Sequence, residues 1–175
     1  MSNFVDKTSV VEAASIYKES KLMGRDFKVT LPEVTPVTAD VGGLMGTMPI
    51  PLLNTIEEME LTISKVGVDD YAVELCNPGS KNLIIKWAQD VVKSDGSVKA
   101  VGCKAELSVL PKTYMPAADI EVGSASEFDC TYGVFIYKLY VDGKCRLEIN
   151  RMTGTLKAWN GKSLQDFSGK FSQLL

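Results

Sequence analysis

Apolar and polar residues alternate with a period of two along most of the chain, which predicts a mainly β protein. The alternation is clear in segments 26–34 and 55–66. Because successive side chains of a strand point to opposite faces, each segment has one apolar face for a core and one polar face for water. We predict that the two segments are arms of one long antiparallel hairpin. On the second arm, the water-facing residues are Glu58, Glu60, Thr62 and Ser64.

The segment 35–54 between these arms is rich in glycine and proline, with Gly42, Gly43 and Gly46 followed by Pro49 and Pro51. Glycine and proline interrupt regular structure, so we expect this segment to be the flexible tip of the hairpin. A phosphate-binding loop is the alternative interpretation. Such a loop must lead into the start of a helix, which the two prolines disfavour.

One short helix is predicted over Asp69–Cys76. The Asp69 carboxylate can accept a backbone N–H as the N-cap, and the Asn-Pro-Gly sequence at 77–79 ends the helix. A helix of this length is not stable alone, so we expect its Val73 and Leu75 face to dock on a sheet.

Strand patterns resume after the helix and continue almost to the end of the chain. The turn signals Asp95-Gly96 and Asp142-Gly143 predict two further hairpins. The predicted strands are 83–92, 98–110, 127–141, 144–151 and 156–159. Residues 2–15 are expected to form a helical turn or a loose arm, and the C-terminal tail a short helix or a frayed end. The fold class is therefore mainly β, an antiparallel two-sheet sandwich or partly closed barrel with one short flanking α-helix.

Composition and charge narrow the function. The chain has 175 residues, 45% of them hydrophobic, which suits one globular domain. It contains no histidine, which excludes Ser-His-Asp and Cys-His catalysis and histidine metal sites. Glycine-rich nucleotide-binding motifs are also missing from the sequence. We expect no catalytic residue, no metal site and no cofactor.

The charges also bear on possible partners. Nineteen basic residues are scattered among 22 acidic ones, for a net charge of −3, so tight binding of nucleic acid is disfavoured. No apolar run approaches the roughly 20 residues that cross a bilayer, and the N-terminus does not have the pattern of a secretory signal. We expect the four cysteines to be small buried hydrophobic residues, because no C-x-x-C pair occurs and folding in a reducing cytosol is expected. They are Cys76, Cys103, Cys130 and Cys145.

Several segments, taken in order, resemble one family. They include VTLPEV at 29–34, G-G-x-x-G-x-x-P-x-P-L at 42–52, MELTI at 59–63 and YKLYVDG at 137–143. Their order and spacing are similar to those of the major tail tube proteins of contractile-tailed bacteriophages and phage-tail-like particles (tailocins). The resemblance covers residues 16–165 as the tail tube domain and leaves 1–15 as an N-terminal arm and 166–175 as a C-terminal tail.

The resemblance implies a structural subunit of an inner tail tube. Such subunits form hexameric rings that stack into a hollow conduit for genome delivery or membrane puncture inside a contractile sheath. Two long hairpins of each subunit, here about 30–64 and 105–141, join a β-barrel shared between subunits. The implied partners are the chain itself, the tail sheath protein, a baseplate or tube initiator, a tape-measure protein, and DNA in passage. The implied location is a virion tail or phage-tail-like particle assembled in the bacterial cytoplasm.

This architecture assigns roles to three sets of residues. An acidic lining repels phosphates, and we expect it to contain Glu58, Glu60, Asp119, Glu121, Glu127 and Asp129. Contacts between subunits or rings are expected at Gly42, Gly43, Leu44, Met45, Met48, Ile50, Leu52 and Leu53. On the helix, Asp70 and Glu74 are expected to face the sheath.

Two other classes of function remain open on the sequence. The pairs Glu58–Glu60 and Glu127–Asp129 are also candidates for carboxylate catalysis, although solvated strand faces explain them more simply. The main alternative is a monomeric β-sandwich module that binds a ligand.

Overall fold

The computed structural model describes the backbone of residues 7–158 and 162–163, and the side chains of 11–52 and 55–157. Within these residues the chain forms twelve strands and one helix. The strands are β1 (Lys7–Lys18), β2 (Lys21–Gly24), β3 (Phe27–Thr30), β4 (Pro36–Gly43), β5 (Gly46–Ile56), β6 (Met59–Val66), β7 (Lys81–Val92), β8 (Val98–Pro111), β9 (Glu127–Val141), β10 (Lys144–Asn150), β11 (Thr155–Ala158) and β12 (Lys162–Ser163). Helix α1 (Asp70–Cys76) lies between β6 and β7.

Ten strands form one antiparallel sheet that divides at β9. One edge of β9 pairs with β8, while the other pairs first with β6 over 127–134 and then with β10 over 136–141. Strand β3 extends the β6 branch, and β7, β1 and β2 follow β8. Apolar side chains of β3, β1 and β7 line one cavity between these strands. This arrangement confirms the predicted antiparallel β fold with one short helix.

The predicted pairing of the two hairpin arms is also confirmed. Strand β3 pairs antiparallel with β6, with Thr30 opposite Thr62 and Lys28 opposite Ser64. The apolar faces of β6 and β9 form the centre of the core, where Leu61 and Tyr132 are fully buried. The Tyr132 hydroxyl donates a 2.8 Å hydrogen bond to the Leu75 carbonyl and so links the core to α1. Burial raises the pKa of Tyr132, which keeps its hydroxyl protonated.

The expectation of an irregular tip over 35–54 is wrong. The segment forms a two-stranded antiparallel ribbon, β4 with β5, which is separate from the ten-stranded sheet. Pro49 and Pro51 lie inside β5, opposite Asp40 and Thr38. Proline is tolerated in a ribbon because each strand has one free edge, where no N–H is required.

The expectation for residues 2–15 is also wrong for the part that the structure describes. Residues 7–15 belong to β1, which pairs with β7 from Lys7 opposite Val92 to Lys18 opposite Leu83. Long pairing with a buried neighbour outweighs the weak helical preference of the Val-Val-Glu-Ala-Ala segment. Residues 1–6 and the tail 164–175 lie outside the described residues.

The predicted cap of α1 is confirmed, but the docked face is different. The Asp69 carboxylate accepts a 2.7 Å hydrogen bond from the Ala72 N–H. Ala72, Leu75 and Cys76 are buried, whereas Val73 remains 45% exposed. The expectation that Val73 docks on the sheet is therefore wrong, because one turn of helix presents residues three and four apart to the same side.

The expectation that the four cysteines are buried is confirmed for Cys76, Cys103 and Cys130, but two of them are not free thiols. Cys76 at the end of α1 and Cys130 on β9 are bonded as a disulfide, with their Cα atoms 6.5 Å apart. Cys103 is a buried thiol, as expected, but Cys145 is only half-buried. The spacing of 54 residues between the bonded pair gave no sign of their proximity.

Candidate functional site

A polar face runs across β3, β6 and β9 on the side opposite to the core. Directly paired residues of an antiparallel sheet share a face, so the observed register defines this surface. We call it the polar strand face, and its residues are Lys28, Thr30, Glu60, Thr62, Ser64, Glu127, Asp129 and Thr131. Glu60 lies opposite Gly133, and Asp129 lies opposite Ser64. Three of the six expected lining residues are therefore on one surface.

Lys112 holds the end of this face where Glu58 precedes β6. Its ammonium lies 2.5 Å from the Glu58 carboxylate and 2.7 Å from that of Glu60. Its backbone N–H donates a 2.9 Å hydrogen bond to the Thr131 carbonyl, which fixes it beside β9. The hydrogen bond and the charge of Lys112 lower the pKa of Glu58. Glu58 is thus held ionised, which does not suit a general acid.

Asp119 and Glu121 lie elsewhere, on the irregular connection between β8 and β9. Both are exposed, and Glu121 accepts a 3.4 Å hydrogen bond from the Ser124 hydroxyl of the same connection. The connection returns to the sheet near the end of β6, where the Gly67 N–H donates to the Ser126 carbonyl. The structure therefore does not place Asp119 and Glu121 on the polar strand face.

The ribbon β4–β5 exposes most of the residues expected at subunit contacts. Leu44 and Met45 form its two-residue turn and are fully exposed, and Met48 is 61% exposed. The register places Val41 opposite Met48 and Ala39 opposite Ile50, which gives the ribbon one apolar face. Gly42, Gly43 and Leu52 are also exposed. The backbone of Leu53 belongs to β5, but its side chain lies outside the described residues.

The outer side of α1 carries the two residues expected to face the sheath. Asp70 is exposed. The Glu74 carboxylate instead pairs with Lys18 at 3.2 Å and Lys21 at 3.0 Å, which joins α1 to the β1–β2 hairpin. Hydrogen bonds from Lys21 and Lys18 lower the pKa of Glu74. Sequence reasoning missed these partners, which lie more than 50 positions away.

Lys65 is a second residue that sequence reasoning missed. It lies on the core side of β6 and is 4% exposed, with its ammonium 3.3 Å from Asp26 and 3.0 Å from Asp69. Burial lowers the pKa of Lys65, but hydrogen bonds to the two carboxylates outweigh it and raise the pKa overall. In the sequence, the only sign of this buried ion pair is that Lys65 is a charged residue on the otherwise apolar face of β6.

In the part of the chain that the structure describes, no three Cys, Asp or Glu side chains are grouped as a metal site. The one described helix is also too short to cross a membrane. The surfaces described above can make contacts through strand edges, apolar side chains and ion pairs.

Comparisons with known proteins identify the family. A family model described as phage tail tube protein FII matches residues 8–166. No curated protein matches the sequence. Among solved structures, the fold is similar to the sheath/tube terminator of an extracellular contractile injection system, PVC, in the extended state. That match has a TM-score of 0.52 at 9% identity and covers 75% of this chain and 96% of the other.

A second match is to the sheath-tube complex of the same kind of system, with a TM-score of 0.49 at 10% identity over 73% of this chain and 88% of the other. The family match extends over nearly the whole chain, and the family is structural, which overrules the carboxylate-enzyme interpretation. The chain therefore belongs to the phage tail tube protein family and is a structural tail tube protein.

Proposed function

We propose that this chain forms hexameric rings that stack into the hollow inner tube of a contractile tail. The observation that carries the proposal is the apolar ribbon β4–β5, which extends from the domain with Met45 fully exposed and Met48 61% exposed. An uncovered apolar surface of this kind marks a contact site in a soluble protein. A two-stranded ribbon is also only marginally stable in water, so it gains stability by packing against a neighbouring copy.

In this arrangement the hairpins β3–β6 and β8–β9 contribute to a β-barrel shared between copies. Pairing between copies satisfies strand edges that a lone domain leaves open. The polar strand face then lines the channel. Its carboxylates Glu60, Glu127 and Asp129, with Glu58 beside them, outnumber Lys28 and Lys112, so the lining repels phosphates and DNA passes without adhering. We place Asp119 and Glu121 at the mouth of the channel.

Rings with unlike upper and lower faces stack head to tail, which gives an open filament. Helix α1 lies outside in this arrangement, with Asp70 available to a basic residue of a contractile sheath. Because Glu74 already pairs with Lys18 and Lys21, it supports the helix position rather than the sheath contact. A baseplate protein starts the tube and a tape-measure protein fills it before the genome or the puncturing complex passes.

Electron microscopy of the concentrated purified protein tests the proposal. We expect rings or tubes from the native chain and only monomers from Met45→Asp, because a buried charge opposes the contact. The Met45→Asp monomer should keep its circular dichroism spectrum and melting temperature, since Met45 is fully exposed. Met152→Asp, also on an exposed methionine but outside the ribbon, is the matched control and should still assemble. A native chain that stays monomeric under all conditions would contradict the proposed assembly into rings and tubes.

A further inference from the structure

The two free edges of the ribbon β4–β5 differ in their hydrogen-bonding capacity. The ladder is regular from Thr38 opposite Pro51 to Gly43 opposite Gly46, and the turn contains two residues. In such a hairpin the pair next to the turn exchanges both hydrogen bonds, and bonded and non-bonded pairs then alternate. Gly43–Gly46, Val41–Met48 and Ala39–Ile50 are therefore the bonded pairs.

The remaining pairs direct their backbone groups away from the ribbon. On β5 the outward positions include Pro49 and Pro51, which have no N–H to donate. On β4 the outward positions are Thr38, Asp40 and Gly42, each of which presents both an N–H and a C=O. The β5 edge is thus blocked at two successive positions, whereas the β4 edge is open.

We infer that the open β4 edge takes a strand of a second copy of this chain, while the proline-blocked β5 edge stays unpaired. The inference rests on the proposed assembly and specifies which edge forms the contact between copies. Ribbons with two open edges can add to one another without limit, as in runaway aggregation of edge strands. A ribbon with one blocked edge adds a strand on one side only, which prevents ribbons from growing into a continuous sheet.

Two properties of the ribbon favour a second copy as the occupant. Asp40 is the only charged residue from Pro36 to Ile56, so the segment has little to offer a nucleic acid or a strongly charged partner. Among the described strands, β3, which precedes β4 in the chain, pairs only with β6. Within the described part of the chain, the hairpin arm formed by β3 and β4 therefore has an unpaired edge on each strand, and a neighbour can bind backbone groups on both.

Proline substitution tests the inference, because a proline at an outward position removes one outward N–H without breaking the ribbon. We expect Asp40→Pro to lower the assembled fraction about ten-fold or more, through lost hydrogen bonds and steric conflict with the added strand. Thr47→Pro is the matched control, since Thr47 is outward on the edge that prolines already block, and it should assemble as the native chain does. Asp40→Asn removes the charge but keeps the backbone N–H, so it should also assemble as the native chain does.

Hydrogen exchange on the native chain gives a second test that needs no variant. The amides of Thr38, Asp40 and Gly42 should exchange rapidly in the monomer and slowly in rings or tubes, whereas the Thr47 amide should exchange rapidly in both. Normal assembly of Asp40→Pro would overturn the edge inference and leave the proposed tube intact. Slow exchange of these amides in the monomer, or only after a sheath protein is added, would also overturn it, because another segment or another protein would then occupy the edge. Failure of the native chain to assemble would instead refute the proposed function itself.

Discussion

Lysine side chains join segments of this protein that are far apart in the sequence. Lys65 connects β6 with Asp26 and with the helix cap Asp69. Lys112 connects the start of the β8–β9 connection with Glu58 and Glu60. Each ammonium contacts two carboxylates and so reduces the repulsion between them. Such networks hold exposed segments in place better than single surface ion pairs do.

The Lys112 contacts give a pH-dependent prediction. Hydrogen bonding to Lys112 lowers the pKa of Glu58 from its ordinary 4.5, so the folded protein favours the ionised carboxylate. The stabilisation is complete above pH 4.5 and is lost as the pH falls through the lowered pKa of the folded state. The pKa of Lys112 is raised above its ordinary 10.5, so its own contribution is lost only in more alkaline solution.

We therefore expect Lys112→Met to lower the melting temperature by about 3 °C or less at neutral pH, because the groups are exposed. Below pH 4.5 the difference in melting temperature between the variant and the native protein should shrink as Glu58 becomes protonated. Differential scanning calorimetry from neutral to acid pH measures the effect, and Lys112→Arg, which retains the charge, is the control. A difference that stays the same at every pH would mean that Lys112 acts through packing and not through the Glu58 carboxylate.

At this scale the sequence predicted which face each strand residue occupies, but not its partners. The period-two pattern alone placed Glu60 and Asp129 on polar faces and Leu61 and Phe128 in the core, as the structure confirms. The Lys112–Glu60 contact spans 52 positions, and the Cys76–Cys130 bond spans 54. Such contacts depend on which strands become neighbours, and periodicity contains no information about strand order.

The helix α1 is an element that depends on its surroundings. It has seven residues, too few to be stable alone. The Asp69 cap, the Glu74 contacts with Lys18 and Lys21, and the hydrogen bond from Tyr132 to the Leu75 carbonyl hold it from three sides. Its stability therefore reports on the local tertiary contacts.

The cap gives a prediction at the scale of the element. Asp69→Ala removes the hydrogen bond to the Ala72 N–H and leaves the buried Lys65 with only Asp26. We expect the free energy of unfolding to fall by about 1–2 kcal/mol, the usual cost of losing an aspartate cap. Urea denaturation followed by circular dichroism measures the change. Asp70→Ala, at the exposed next position, should cost clearly less, and equal costs would show that the cap contributes nothing specific.

Element types were predicted well where the alternation was clean and poorly where residue preferences conflicted with tertiary pairing. The hairpins β3–β6 and β9–β10 and the helix start were all evident from the sequence. The ribbon was mistaken for a loop because its glycines and prolines usually interrupt strands. They are compatible with a ribbon because Gly46 adopts a φ of 115° after the turn, and Pro49 and Pro51 lie at outward positions.

At the scale of the whole molecule, polar and apolar surfaces are separated in a way that suits a tube component. The polar strand face covers one side of the β3–β6–β9 layer, and the apolar ribbon extends from the same hairpin. A hairpin that contributes both surfaces couples the lining of the proposed channel to the contact that closes the ring. Sequence could suggest this separation through its alternating pattern, but only strand pairing shows that Glu60, Glu127 and Asp129 share one face.

The polar strand face gives a prediction for the assembled tube. The double variant Glu127→Lys, Asp129→Lys replaces two negative charges with two positive ones on every copy. Both residues are exposed on β9, so the fold and the assembly should be largely unchanged. In a closed ring the added charges accumulate around the channel, and phosphates should bind there through counterion release.

We expect tubes of this variant to retain single-stranded oligonucleotides at low salt and release them steeply as salt rises, whereas native tubes retain little at any salt. Sedimentation of tubes with a fluorescent oligonucleotide measures the retention. Glu19→Lys, Asp70→Lys is the charge-matched control, because both residues are exposed and the proposed arrangement puts α1 on the outside; Glu19 lies in the β1–β2 turn, which Lys18 and Lys21 join to α1. Tubes of the control variant should bind oligonucleotide only on their outer surface. They should therefore bind equally well a free oligonucleotide and one that is covalently linked to a particle wider than the channel. If the particle-linked oligonucleotide binds tubes of the Glu127, Asp129 variant as well as the free oligonucleotide does, then the polar strand face does not line the channel.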